Sequence, residues 1–553
     1  MPERPHATFG TPYLMWRFIT FACLLSIMLS ACTEPLSIAE QGSREGLLHY
    51  SNGPKPLSVD PQQARVSPET RLSLALFEGL TNINPSTMTP EPGVAERWEI
   101  SDDKLVYTFY LRKDALWSDK RPLTAQDFTW SWQRLLSPGE QKPYSAMLYV
   151  IKNAQEYAQG DIKDFTKVGV KATSPHTLTV TLDHPTPYFL YLLTYPGTMP
   201  LPRHAIEQYG EAGELFGGWT AIEHLVTNGA FAVDSYDPQS SISLVKSDTY
   251  WNRARVKLNG ARFYFVDTHT EGERLFSEGK LHFTQGVPTD KIEYYQSLPN
   301  SPYRQTLYLA SYFYVINTNR PPLNDERVRH ALSLAIDRAA LNKNTHHASI
   351  QPAYSFTPPG IQDYFPREFA TYNPDRARQL LAQAGYPNGA NWPELELGFN
   401  DSDIHRRTAL AVTAMWKREL NIDIKPVEYP WEQYLQNLTT QNYDITRMTW
   451  IGDYPDPRTF LELFLSNTEH NPTNFASERY DHLILEAAPK EESIARRNAI
   501  YTEAETILME AMPLIPLFIH TSKHLIHPDV HNIPPNILDY TDFKQVSLTP
   551  SSD

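Results

Sequence analysis

Residues 95–134 read AERWEISDDKLVYTFYLRKDALWSDKRPLTAQDFTWSWQR, and the middle of this stretch alternates apolar and polar side chains. Over residues 108–112 the alternation has the period of two that is typical of a half-buried strand. Residues 177–182, TLTVTL, repeat the pattern. Both segments are therefore predicted to be strands with one buried face.

Helix signals are interleaved with these strands. Asn373-Pro374 opens a segment whose apolar residues recur at helical spacing until Gly385, and Asn324-Asp325 opens a second such segment. A chain of 553 residues is too long for one core. The mixture predicts α/β lobes, two or three in number, with a ligand in a cleft between them.

The composition argues against nucleic acid as a partner. The net charge is −15, whereas a nucleic-acid-binding surface needs a basic face. The chain is also rich in aromatic residues, with 31 Tyr and 11 Trp. Such residues fill cores and line pockets for ligands that have both apolar and polar parts.

The N-terminus has the order of a secretory signal. Arg4 and Arg17 precede the apolar residues 18–29, and Leu29-Ser30-Ala31-Cys32 follows. The apolar run is too short for a membrane span. Cys32 in this context resembles the lipidated cysteine of a bacterial lipobox, with residues 1–31 removed as signal peptide. A plain signal peptide and an uncleaved anchor are the alternatives.

The cysteine content limits the chemistry of the mature chain. Only Cys23 and Cys32 occur, so removal of the signal leaves one cysteine, and that one would carry lipid. No disulfide, catalytic thiol or cysteine zinc site is then expected. Residues 32–45 are small and polar, and we interpret them as a flexible lipidated tether.

No pattern in the chain predicts an enzyme, a cofactor or a metal site. The serine-nucleophile, zinc-protease, phosphate-loop and dinucleotide motifs are missing. His346 and His347 are adjacent and point in different directions, which favours surface or cleft histidines over metal ligands. Asp453 and Asp456 match neither a calcium loop nor a hydrolase pattern.

Residues 443–457 read YDITRMTWIGDYPDP and predict a buried strand that runs into a loop. Arg447 and Asp453 lie close to this apolar strand and need partners, because isolated buried charges are costly. Spacing alone leaves open whether they pair with each other or with a ligand.

The opening stretch, taken as a whole, resembles the bacterial oligopeptide-binding proteins, which are the family-five solute-binding proteins of peptide ABC importers. The resemblance covers essentially the whole mature chain. Further matching segments are Asp60-Pro61, LFEGL at 76–80, TNGA at 227–230, YWN at 250–252 and Asn324-Asp325.

The resemblance implies a three-lobed α/β fold of the periplasmic-binding-protein type (type II, cluster C), with a ligand cleft between hinged lobes. Lobe I would be discontinuous and comprise residues 46–77, 203–309 and 521–553. Lobe II would comprise residues 78–202, and lobe III residues 310–520.

The resemblance also implies which residues hold the peptide. Asp453 would bind its α-ammonium, and Gly452 would allow a close approach of ligand and main chain. Arg447, His405 and His346 would bind its C-terminal carboxylate at different depths. Pocket and backbone contacts would come from Arg65, Ser67, Tyr144, Tyr308, Asn400, Trp431, Thr449, Trp450 and Ile451. The main chain near Arg65, Ser67, Thr449 and Ile451 would form two strands that sandwich the peptide.

Three features depart from the family pattern. Ala310 and Ile451 stand where enteric members have a cysteine pair. Lys120 stands where glycine is usual, so backbone strain is expected in that turn. Arg65 replaces a glutamate in the cleft, which leaves the preferred charge of the ligand open.

We therefore expect an extracytoplasmic lipoprotein, not an enzyme, that delivers short peptides to the permease subunits of an ABC importer. It would be a monomer in the periplasm or cell envelope, attached to a membrane only through its lipid. The alternatives are a narrower receptor for murein-derived peptides and a surface interaction protein, such as an adhesin, that has kept the fold.

Overall fold

The computed structural model describes residues 1, 3, 35–139, 142, 144–466, 468, 471–491 and 493–550. Cys32 and all of the predicted signal peptide except residues 1 and 3 lie outside these residues. Within them, no helix is both long and apolar enough to cross a membrane.

The strands, numbered in chain order, are β1 Leu47–Ser51, β2 Thr81–Ile83, β3 Pro90–Pro92, β4 Ala95–Ile100, β5 Val106–Leu111, β6 Val170–Ser174, β7 Thr177–Thr181, β8 Phe231–Asp237, β9 Ser241–Lys246, β10 Gly260–Tyr264, β11 Tyr303–Ile316, β12 Gln351–Pro352, β13 Leu395–Asn400, β14 Ile424–Tyr429, β15 Ile445–Ile451, β16 Leu514–Leu525, β17 Val530–His531 and β18 Ser547–Leu548.

The α-helices are α1 Ile38–Glu45, α2 Ser67–Leu76, α3 Ala125–Leu135, α4 Ala154–Gln159, α5 Phe189–Leu192, α6 Arg203–Tyr209, α7 His269–Ser277, α8 Ile292–Ser297, α9 Glu326–Leu334, α10 Arg338–Thr345, α11 Pro374–Gln383, α12 Asp403–Leu420, α13 Trp431–Thr439, α14 Arg458–Leu461, α15 Glu478–His482, α16 Ala488–Lys490 and α17 Ile494–Ala511. Short 3-10 turns lie at Pro61–Gln63, Ser145–Leu148, Phe165–Lys167, Pro196–Thr198, Gly218–Thr220, Arg253–Arg255, Thr289–Lys291, Pro387–Gly389 and Glu462–Phe464, and a π-turn at Leu483–Ala487.

Two four-stranded sheets share one apolar core. The first has the order β1-β10-β9-β8 and the second the order β4-β5-β7-β6. Strand β5 alternates as predicted, with Tyr107, Phe109 and Leu111 buried, and Phe109 belongs to the same apolar cluster as Phe263 of β10. We call residues 47–302 with 526–548 the two-sheet body.

A six-stranded sheet has the order β12-β16-β11-β15-β13-β14 and forms the second body. Alternate residues of β11 enter different cores, with Tyr312 and Tyr314 in one apolar cluster and Phe313 and Val315 in another. Helices therefore cover both faces of this sheet. We call residues 303–525 the six-strand body.

Two long strands connect the bodies. Strands β11 and β16 pair antiparallel from Tyr303 opposite Leu525 to Val315 opposite Leu514, and their register shifts between Leu307 and Ser311. Away from these strands, the rings of Tyr188 and Tyr454 stack across the two bodies at a centroid distance of 4.6 Å. The chain thus passes between the bodies only at the ends of β11 and β16, an arrangement that suits hinged movement.

Several predicted elements are confirmed. Strands β5 and β7 and the helices that begin after Asp325 and Asn373 lie where the sequence places them, and both cap side chains accept a helix N–H. Lys120 has a positive φ of 71°, so the expected backbone strain is present. The α/β class is confirmed, while the proposed lobe boundaries remain predictions.

The tether is shorter than the sequence suggested. Helix α1 begins after Ser37, whose side chain caps it, and Ala39 is buried and donates its N–H to the Gly279 carbonyl at 2.9 Å. The prediction of a flexible segment up to residue 45 is therefore wrong from residue 38 onward. Small polar residues are compatible with a surface helix when only one side of it needs to pack.

Candidate functional site

A cavity of about 460 Å³ lies where the two bodies meet. Its lining includes six of the predicted site residues, from both bodies: Arg65, Ser67, Tyr144, Tyr308, Ile451 and Asp453. It also includes Tyr195, whose ring lies 5.0 Å from that of Tyr144 and which the sequence reasoning missed.

Asp453 supplies an uncompensated carboxylate to this cavity. No hydrogen bond or ion pair to its carboxylate occurs among the described residues, and Arg447 donates instead to Asn400 Oδ1. Burial, and secondarily the nearby Glu462 carboxylate, raise the pKa of Asp453 to about 6. A cationic ligand group would reverse that shift.

Two backbone N–H groups of the loop that carries Asp453 form hydrogen bonds that fix its position. Thr459 Oγ1 accepts the Asp453 N–H at 3.2 Å, and Gly452 donates to the Leu309 carbonyl at 2.8 Å. A Cβ on Gly452 would lie 2.7 Å from Leu309 Cδ2. Gly452 is therefore required for packing against β11; it also lines the cavity, and its predicted role in ligand approach remains a prediction.

The neighbouring acidic residues are already paired. Glu462 accepts from Arg458 at 3.1 Å, and Asp456 lies 3.4 Å from Arg497. The arginines of these pairs come from α14 and α17. Asp453 is thus the carboxylate of this group that remains available to a ligand.

Arg447 lies on the same strand as Ile451 but is buried, with 8% of its surface exposed. Its guanidinium lies 4.8 Å from the Tyr434 ring centroid, and its Nε has no hydrogen-bond partner among the described residues. Tyr434 in turn contacts Trp431, which is largely exposed at the start of α13.

His405 and His346 lie around a pair of stacked aromatic rings. The rings of Tyr312 and Phe518 stack at 4.4 Å; His405 lies 5.6 Å from Tyr312, and His346 lies 4.9 Å from Phe518. Burial lowers the pKa of His405 to about 3, helped by Arg447, and that of His346 to about 4. Both imidazoles are therefore neutral at neutral pH.

Two further basic residues join this group and were missed in the sequence. His520 packs against the same two rings in edge-on contacts, with centroid distances of 6.2 Å to Tyr312 and 5.3 Å to Phe518. Lys523 is close enough to lower the pKa of His520. Both residues lie on β16, where nothing in the local pattern indicates proximity to a histidine more than a hundred residues earlier.

Strand β15 runs from Arg447 toward the loop that carries Asp453. One of its two edges is only partly paired with another strand. It pairs with β11 over its whole length but with β13 only at Ile445 and Thr446. From Arg447 to Ile451, one edge therefore has no strand partner among the described residues. Thr449 and Trp450 lie on this part, and Ile451 is 51% exposed.

The opposite wall of the cleft differs from the prediction. Arg65 lies in an irregular segment and Ser67 is the first residue of α2, so a second strand is not present there. The backbone N–H of Arg65 donates to Glu69, whose side chain caps the start of the helix. The expected cysteine-pair positions, by contrast, are directly opposite in the ladder, with Ala310 paired to Ile451.

No group of three or more His, Cys, Asp or Glu in the described part of the chain could hold a metal ion.

The chain is similar to known proteins over most of its length. Residues 89–472 match the family model of the bacterial extracellular solute-binding proteins, family 5. The periplasmic oligopeptide-binding protein OppA of Escherichia coli (strain K12) is 36% identical over 491 residues, which cover 86% of this chain and 88% of the relative.

Two solved structures extend the comparison. The unliganded open form of the periplasmic murein tripeptide-binding protein MppA superposes with a TM-score of 0.81 at 32% identity, covering 91% of this chain and 97% of that one. Haemophilus influenzae OppA in complex with the peptide RPPGFSPFR gives a TM-score of 0.71 at 28% identity, covering 91% and 99%.

Proposed function

Because the chain belongs to family 5 of the bacterial extracellular solute-binding proteins, we propose that it captures short peptides outside the cytoplasmic membrane and delivers them to an ABC-type importer. The peptide would lie extended along β15. Its α-ammonium would bind Asp453, and its C-terminal carboxylate would bind Arg447, His405 or His346 according to its length.

One observation carries this proposal. Asp453 has no partner among the described residues and lies at one end of an open strand edge, while basic groups without an acidic partner lie toward the other end. An extended peptide supplies what each part lacks, namely a cation, a row of backbone hydrogen-bonding groups and an anion. Backbone hydrogen bonds do not depend on the side chains of the peptide, so peptides of varied sequence would bind.

The length of the strand limits the length of the ligand. Arg447 and Asp453 are six positions apart, so their Cα atoms are separated by at most about 20 Å. Extended residues advance about 3.3 Å each, which corresponds to peptides of a few residues once the side chains reach toward the ligand.

The structure is closer to an open than to a peptide-bound relative, with TM-scores of 0.81 and 0.71. We propose that the bodies close on the peptide by bending of β11 and β16. Small-angle scattering should then give a smaller radius of gyration with saturating peptide. An unchanged profile at proven saturation would favour a rigid surface receptor.

The anchoring proposal rests on sequence alone. Cys32 would be acylated after cleavage behind Ala31, which places a monomeric protein at the cell envelope. Intact-mass measurement of the mature protein tests this, and Cys32→Ala should release soluble or unprocessed protein. An unacylated wild-type N-terminus would contradict it.

A murein-derived peptide is the second candidate ligand. The match to the open murein tripeptide-binding protein favours it, and such peptides also carry an ammonium and carboxylates. An adhesin-like role would not explain why charged groups in the cleft lack partners of opposite charge.

Mass spectrometry of ligands that co-purify with the protein separates these candidates directly. Calorimetry with Ala-Ala-Ala, its N-acetylated form and its C-terminal amide then tests the assignment of both ends. We expect the free peptide to bind most tightly. Equal affinity for all three, or no binding of any peptide, would contradict the proposed function.

A further inference from the structure

The end of the cleft that would hold the C-terminal carboxylate of the peptide is called its carboxyl end. It contains more basic groups than one carboxylate needs. Arg447 of β15, His405 of α12, His346 after α10, and His520 and Lys523 of β16 are near one another. None of these five has an acidic partner among the described residues. A single guanidinium can satisfy a carboxylate by a bidentate contact.

Peptides of different lengths would account for three of these groups. The proposed function assigns Arg447, His405 and His346 to the terminal carboxylates of peptides of different length. His520 contacts the same two rings, Tyr312 and Phe518, that His405 and His346 contact one each. It would therefore act together with whichever of the three meets the terminal carboxylate.

Two nitrogen atoms in this region are unsatisfied. Arg447 Nε and His520 Nε2 are buried and have no hydrogen-bond partner among the described residues. By contrast, His405 Nδ1 lies 3.2 Å from Tyr312 Oη, and His346 Nε2 lies 3.2 Å from Thr408 Oγ1. Buried polar atoms without partners are uncommon and indicate a place that a ligand completes.

We propose that His520 and Lys523 form a second anion subsite, so that the cleft prefers peptides with an acidic side chain at the C-terminal residue. The inference rests on the proposed function, because it assumes that the terminal carboxylate lies beside Arg447, His405 or His346. Such a peptide presents two carboxylates close together, and each meets its own set of bases.

The protonation of the groups supports this assignment. Burial lowers the pKa of Lys523 to about 8, and burial with the neighbouring Lys523 and Arg447 lowers that of His520 to about 4. The other charged groups that face His520 are His346 and His405, and Arg407 faces His346. All are bases, so a second carboxylate would raise these pKa values and draw in protons.

The test compares Ala-Ala-Glu with its neutral isostere Ala-Ala-Gln by calorimetry at pH 7. We expect the wild type to bind Ala-Ala-Glu about tenfold more tightly, a difference typical of one desolvated charge pair. Repeating the titration in phosphate and in Tris should show greater proton uptake with Ala-Ala-Glu.

Lys523→Met keeps most of the side-chain stem and removes the charge, so it should lower the affinity for Ala-Ala-Glu more than that for Ala-Ala-Gln. His520→Gln should do the same to a smaller extent. Lys171→Met, on the exposed side of β6, is the matched control and should change neither affinity. Thermal melts of each variant establish that it is folded.

Equal affinities of the wild type for the two peptides would overturn the proposal. So would an equal loss for both peptides in Lys523→Met, which would make Lys523 one more contact of the terminal carboxylate. Failure of the proposed function has a different signature, since then neither peptide binds the wild type.

Discussion

The two ends of the cleft differ in how many groups are available to a charged end of the peptide. At the amino end, one carboxylate, Asp453, lies in a loop fixed by Gly452 and Thr459. At the carboxyl end, several bases from three elements surround two stacked rings. The number of groups matches what varies in a peptide: its ammonium can be held at one point, whereas its carboxylate moves with length.

The comparison also shows a difference in protonation. Burial raises the pKa of the acid at one end and lowers those of the histidines at the other. In each case desolvation favours the neutral form. A ligand that brings the opposite charge would restore the ionised form, so the two ends should respond to pH in opposite directions.

The largest effect is expected at the amino end. Asp453→Asn keeps the shape but leaves a desolvated ammonium facing a neutral amide, which should cost about 2–5 kcal/mol of binding free energy for Ala-Ala-Ala. N-acetyl-Ala-Ala-Ala should bind wild type poorly and lose much less. Calorimetry of both peptides with both proteins forms a double-mutant cycle. A coupling energy near zero would contradict the assignment of Asp453 to the α-ammonium of the peptide.

The second effect tests whether the amino end must be rigid. Gly452→Ala brings a Cβ to within 2.9 Å of Phe460 as well as against Leu309, so overpacking should lower the free energy of unfolding by about 1–3 kcal/mol. Chemical denaturation measures this. Gly213→Ala is the matched control, because a Cβ there meets nothing within 4 Å. Equal stability of the two variants would show that β11 adjusts easily.

The third effect probes the sharing of charge at the carboxyl end. Arg447→Met should weaken Ala-Ala-Ala by about 1.5–2 kcal/mol, less than Asp453→Asn, because neighbouring bases still face the carboxylate. The C-terminal amide of the peptide should be affected less than the free acid. A loss of binding free energy as large as that in Asp453→Asn would mean that Arg447 alone binds the carboxylate. The proposed difference between the two ends of the cleft would then be wrong.

The fourth effect is the pH dependence of each end taken separately. Ala-Ala-Ala amide reports the amino end. Asp453 must be ionised to bind an ammonium, and its pKa in the free protein is raised to about 6. Protonation therefore competes with binding as the pH falls through 6, and the affinity should drop about tenfold between pH 7 and pH 5.

N-acetyl-Ala-Ala-Ala reports the carboxyl end and should show the reverse trend. The histidine pKa values are depressed in the free cleft, to about 3 for His405 and about 4 for His346. A bound carboxylate raises them, so binding takes up protons and strengthens as the pH falls below neutrality. The same trend for the amidated and acetylated peptides would remove the distinction between the ends.

Local sequence patterns were sufficient for much of the framework. The alternation around Phe109 correctly predicted a strand, and the Asn373-Pro374 signal correctly predicted a capped helix. Both elements depend on neighbours within a few residues. The same kind of reasoning failed where a short polar segment packs on distant chain, as in α1 against Gly279. The family resemblance, for its part, failed at Ser67, which begins a helix on a wall expected to be extended.

The sequence by itself determined the α/β class, the family resemblance and the identity of the charged residues on β15, since these follow from local periodicity and collinear motifs. Only the tertiary structure decided which charges lack partners. Arg447 binds Asn400 rather than Asp453, and His520 joins His346 and His405 because β16 runs past Tyr312. Such proximities arise from pairing between strands about two hundred residues apart, which no local period encodes.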